Sequence, residues 1–160
     1  MPELTPNAET LLADLEAQEA RLVFSRFDTA DAWRLGSAMV AEATARGLPV
    51  TIDIRRHGHQ LFHVALPGTT PDNDAWIERK INVVNRFSAS SYLVGRRLAA
   101  QGRVLDEAAG VTPVSHAAHG GAFPIRVRDV GVVGTVTVSG LPQAEDHAFV
   151  TEMLAVHLGQ

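Results

Sequence analysis

The chain has 160 residues, 46% of them hydrophobic and 20% charged, with a formal net charge of -4 at pH 7 and no cysteine. Such a length is enough for a self-sufficient core, so residues 1–160 are expected to form a single domain. The absence of cysteine excludes disulfides, thiolate-held metals and thiolate catalysis, and the acidic balance argues against nucleic acid or a membrane surface as partner. No apolar run reaches the length of a membrane span, and the N-terminus lacks a basic stretch followed by an apolar one, so a cytoplasmic location is expected.

Leu11, Leu12 and Leu15 share one face of a helix running from about Asn7 to Ala20, after which Arg21-Leu-Val-Phe-Ser-Arg-Phe27 changes to the period of a strand. Asp28 or Asp31 caps a second helix whose apolar stripe is Trp33, Leu35, Met39, Val40 and Ala43, closed by Gly47. Val50–His57 and Gln60–Leu66 are strand-like and separated by Gly58-His59, which reads as a hairpin loop. Thr69–Asp74 offers helix caps, and a helical region follows to about Gln101, broken within Phe87–Tyr92 where strong helix formers are scarce. Arg103–His116 reads as loop with at most one short helical turn, Phe123–Val127 and Val130–Ser139 as strands, and Gln143–Leu158 as the last helix. The order α-β-α-β-β-α-α-β-β-α, with hairpins in place of strict alternation, points to an α+β fold around an antiparallel sheet of about five strands.

Several polar side chains stand where chemistry could occur. With Gly58-His59 as the loop, Ile54 lies opposite His63, which places His63 on the apolar side as either a bonded core histidine or a pocket group. Asp53 and Arg55 alternate on the other face and read as surface charge or as the ion-paired wall of a cleft. Trp76, Lys80, Val83 and Phe87 follow helical spacing, so the Lys80 ammonium projects from an otherwise apolar stripe, either snorkelling to an acid or binding an anion beside Trp76. Arg79 and Arg86 fall on adjacent faces, toward solvent or another subunit.

His116 and His119 are spaced i, i+3, too weak a pattern for a metal site without a third ligand, and none is assigned. His119-Gly120-Gly121 places an imidazole at a loop whose backbone amides can meet a ligand oxygen. Glu145 and Asp146 fall in a first helical turn, where the macrodipole stabilises carboxylates. Alternatively Asp146 orients His147 or His119 as an acid-base pair, which makes His119, Asp146 and His147 the catalytic candidates. No nucleophile elbow, phosphate loop or dinucleotide fingerprint is present.

Thr51-Ile-Asp-Ile-Arg55, Leu66–Asn73, Trp76 with Arg79-Lys80, Ser90-Ser-Tyr92, His119–Ile125 and Gly131–His147, in that order, resemble the haem-degrading-domain family related to the GlcG and HbpS proteins. The resemblance runs from about Leu15 to Val156 and implies a profilin-like or PAS-like domain that assembles into homo-oligomers. It also implies haem as a candidate cofactor, with His63, His119 or His147 as a candidate axial donor, although no haem-attachment motif occurs. The matched runs imply a shared pocket made by Arg55, Trp76, Lys80, His119, Gly120, Gly121 and Asp146-His147. Three readings follow. The first is a homo-oligomeric protein binding an anionic or carboxylated small molecule, with tetrapyrrole among the candidates. The others are a metabolic enzyme with a His/Asp acid-base pair and an oligomeric protein-protein adaptor.

Overall fold

A computed structural model describes residues 7–160. The elements are α1 (Ala8–Arg21), α2 (Thr29–Arg46), β1 (Thr51–Arg56), β2 (His59–Ala65), α3 (Pro71–Phe87), α4 (Ser91–Ala100), a 3₁₀ turn at Glu107–Ala109, β3 (Ala122–Val127), β4 (Gly131–Ser139) and α5 (Gln143–His157). The fold is α+β with one antiparallel sheet in the order β2-β1-β4-β3.

Local signals explain the boundaries. Asp28 and Asp31 exchange side-chain to backbone bonds in a capping box at the start of α2, and Gly47 ends it in the left-handed conformation at φ 65°. At the start of α3, whose first residue is Pro71, the Asn73 side chain accepts the Thr70 amide at 2.9 Å. The expected break between the next two helices falls at Ser88, which adopts φ 53°, and Ser90 then caps α4 by accepting a bond from the Leu93 amide.

The sheet has unlike faces. Ile52 and Ile54 of β1, Phe123 and Ile125 of β3 and Val136 and Val138 of β4 turn one way and bury themselves against Leu35 and Met39 of α2 and Phe149, Val150 and Leu154 of α5. The alternate residues Thr51, Asp53, Thr135 and Thr137 point the other way and are equally buried, because α3 lies across that face. Leu15 of α1, Val83 of α3 and Leu93 and Val94 of α4 close a smaller second core beyond it.

Three expectations are corrected. The sheet has four strands among the described residues: in Arg21–Phe27 only Phe24 pairs, in a single parallel bridge to Val127. Leu22 and Phe24 are buried in alternation, which is the period visible in the sequence, but the chain leaves β3 at once to cap α2. The hairpin loop is His57-Gly58, with φ of 50° and 78°, because a two-residue turn of this hand needs positive φ at both positions. That choice and a bulge between Ile54 and Arg55 set Ile54 opposite Phe62 and Asp53 opposite His63, so His63 lies on the polar face. Trp33 is 67% exposed, resting edge-on against Phe62, and the stripe of α2 is carried by Ala32, Leu35, Met39 and Ala43. At the outer margins, β2 is open along one side, whereas β3 carries Pro124, which has no N–H to offer, and holds Phe24 at its far end.

Candidate functional site

A cleft of about 390 Å³ opens where three segments meet: the first turns of α3 (Asp72, Asn73, Trp76, Lys80), the exit of β4 into α5 (Ser139, Gly140, Leu141, Gln143, Asp146) and the loop before β3 (His119). It sits at the carboxyl end of β4, with the N-termini of two helices on its rim.

Its floor is an ion pair. Lys80 is 3% and Asp146 2% exposed, and the Lys80 Nζ donates to Asp146 Oδ2 at 3.0 Å and to the Val138 carbonyl at 3.1 Å. The other Asp146 oxygen accepts the Leu141 amide at 3.0 Å, which fixes the β4–α5 turn. Burial pushes the Lys80 amine down and the Asp146 carboxyl up, each partner's charge opposing the shift in the other. Gly121 makes room for this pair. At φ 138° it adopts a conformation that suits glycine, and a Cβ there would stand 2.6 Å from the Lys80 Nζ. Gly120 donates its amide to Gln143 Oε1 at 3.0 Å, tying the loop to the first turn of α5.

The wall is aromatic and cationic. The His119 ring lies 5.2 Å from that of Trp76, and the Arg79 guanidinium sits 4.5 Å over Trp76. Arg79 is held there by its Nε, which donates to the Pro113 carbonyl at 2.9 Å. Partial burial, and then the cations Lys80, Arg79 and Arg96, hold the His119 imidazole below its ordinary range, so it is neutral at pH 7. His119 is exposed at the rim, and among the described residues neither of its ring nitrogens is hydrogen-bonded. This is a neutral nitrogen donor in a positive field beside a flat apolar ring.

Residues 27–155 match the family model described as haem degrading protein HbpS-like. The chain belongs to that family. A UPF0303 protein of Streptomyces coelicolor is 57% identical to this HbpS-like chain, over 97% of it and 98% of the relative. The crystal structure of the Ybr137w protein superposes with a TM-score of 0.83 at 34% identity, covering 92% of this chain and 87% of that one. The structure of a PduOC:haem complex shares the fold at a TM-score of 0.66 and 18% identity, covering 81% and 93%.

The HbpS-like fold brings Trp76, Lys80, His119 and Asp146 to one cleft and puts Gly120 and Gly121 directly behind it. Arg55 lies elsewhere. It is clamped between Asp53, whose Oδ1 accepts from its Nε at 2.9 Å, and Glu78, and it lines a separate hollow with His57 and Glu78. His63 also stands apart, with its Nε2 2.6 Å from Asp74 Oδ1. The His147 ring is buried between Tyr92 and Phe123, and its Nε2 donates to Gln18 Oε1 at 2.7 Å. Asp146 orients neither histidine, because both its oxygens are bound by Lys80 and the Leu141 amide. Asn73, Ser139, Leu141 and Gln143 escaped sequence reading. The only available signal was that Asn73 and Gln143 sit at helix starts, where polar side chains face the strand exits.

Proposed function

We propose that this protein binds an anionic or carboxylated small molecule in the cleft of Trp76, Lys80 and His119, with a tetrapyrrole as the leading candidate, and that it works as a homo-oligomer. The observation that carries the reading is His119: a neutral imidazole with uncommitted nitrogens, packed beside Trp76 and surrounded by Lys80, Arg79 and Arg96. These residues fit haem in the chemistry of the donor set. The imidazole would offer iron a neutral nitrogen donor, the indole would give the ring a flat apolar wall, and the guanidiniums would match carboxylate side arms. When bound, haem supplies an iron centre for redox or small-ligand chemistry, while the chain itself orients the ring and neutralises its charge. Because Lys80 is already balanced by Asp146 and Asp72 also lines the cleft, the positive charge offered to a carboxylate is that of Arg79 and Arg96 beside the Trp76 and His119 wall. Self-association is supported by the exposed Trp33 and its neighbour Phe62 at the open β2 margin.

Haem titration followed in the Soret band tests the reading. The shift seen with the native chain is expected to be lost in His119→Ala and weakened in Trp76→Leu, with unchanged melting temperatures, and retained in His63→Ala. A shift that survives His119→Ala unaltered would overturn ligation by that residue. Light scattering on the same samples reads the assembly state.

A further inference from the structure

Behind the His119 rim lies a second hollow of about 280 Å³, enclosed by α4 and the segment that leads to β3. Arg79, Arg96 and Arg103 line it together with His116 and His119, and no carboxylate does. This concentration of positive charge runs against the balance of the chain, which is -4 overall. The neighbouring Arg97, one position along α4, behaves as an ordinary surface cation and pairs with Glu16. Among the described residues Arg79, Arg96 and Arg103 have no such partner.

Two of the three guanidiniums are held in place. The Nε of Arg79 is fixed on the Pro113 carbonyl, which leaves its two terminal nitrogens for other acceptors. Arg96 lies 5.6 Å over the Tyr92 ring, with its Nε buried and without a hydrogen-bond partner among the described residues. The wall itself depends on Gly95, where any Cβ would collide with the Ala118 carbonyl oxygen, so the close approach of α4 to the loop is specific. Burial, and then the charge of Arg86, hold His116 below its ordinary range, which leaves a neutral imidazole with Nδ1 engaged by Ser115.

We infer that this hollow is a second binding site, one for an oxyanion of charge -2 or more, such as a phosphate or a polycarboxylate, gripped by the planar forks of Arg79, Arg96 and Arg103. It shares the His119 wall with the cleft and draws on Arg79 and Arg96, the cations next to that wall, yet its binding requires neither haem nor iron.

Isothermal titration of the full-length protein with inorganic phosphate, pyrophosphate and citrate tests it, with a parallel fluorescence titration in a Trp33→Phe background where Trp76, under Arg79, is the reporter. Saturable binding of at least one of the three, at one per chain, is expected. Phosphate-type or citrate-type preference identifies the head group of the ligand. Arg96→Gln and Arg103→Gln should each weaken binding about tenfold or more. Arg97→Gln, which removes the same charge from the same helix, should leave it unchanged. Saturable binding by none of the three, or an equal loss in Arg97→Gln, overturns the proposal. Arg103 is exposed, so its variant tests the site even where Arg96→Gln fails to fold. Haem titration of the native chain separates this site from the cleft: a Soret shift there with no saturable anion binding refutes only the inference made here.

Discussion

Lys80 and Asp146 set the energetics of the cleft floor. Each is almost wholly buried, so removing one leaves the other as an unpaired charge in a dry place. Lys80→Met or Asp146→Asn is therefore expected to cost about 3–5 kcal/mol in urea denaturation. Replacing both together, Lys80→Met with Asp146→Leu, should recover most of that loss, since an apolar pair needs no partner. A double variant no more stable than the singles would show that Asp146 matters chiefly through the Leu141 amide. His147 makes a second residue-scale case, with pH as the variable. Burial pushes its imidazole from 6.5 down to about 4, and its Nδ1 has no partner to receive a proton. Between those values the unfolded chain binds the proton and the folded chain does not, so stability falls as pH drops from about 6.5 to about 4. The loss amounts to about 3 kcal/mol, and His147→Gln should remove that share from a pair of urea titrations at either end of the window.

At the level of elements, the caps are both the most legible and the most testable features. The reciprocal bonds of Asp28 and Asp31 at the start of α2 are short-range, and Asp28→Ala should destabilise the chain by about 1 kcal/mol without changing what the cleft binds. The break at Ser88 and the stop at Gly47 were readable for the same reason: each depends on the conformational preference of one or two residues. Register was not readable, because it is decided jointly by the hand of the turn and a bulge: moving the loop by one position alone would set His63 opposite Ile52, still on the apolar side, and the extra residue at the bulge transfers it to the side of Asp53. Phe24 shows another limit. Its alternating burial is genuine, yet a ladder needs a partner of matching length, which sequence period does not reveal. The convergence of Trp76, Lys80, His119 and Asp146 was suggested by residue type and family resemblance. The exclusion of Arg55 was not, because its clamp by Glu78 joins a strand to a helix that are 23 residues apart.

Taken as a whole, the molecule stacks α2 and α5 on one side of the sheet and α3 on the other, and it leaves its chemistry at one end, where β4 hands over to α5. The cleft and the arginine-lined hollow meet at His119 at that end, while the exposed Trp33 lies with β2. The proposed ligand cleft and the proposed self-association margin thus occupy different parts of the surface. The two lateral borders of the sheet are also unequal. One is spoiled for further ladder formation by Pro124 and by the Phe24 latch, and the other, along β2, is unpaired among the described residues. Strand addition between copies can therefore happen once per chain, consuming both available borders in a closed twofold pair, so this route ends in a dimer and cannot propagate into a fibril.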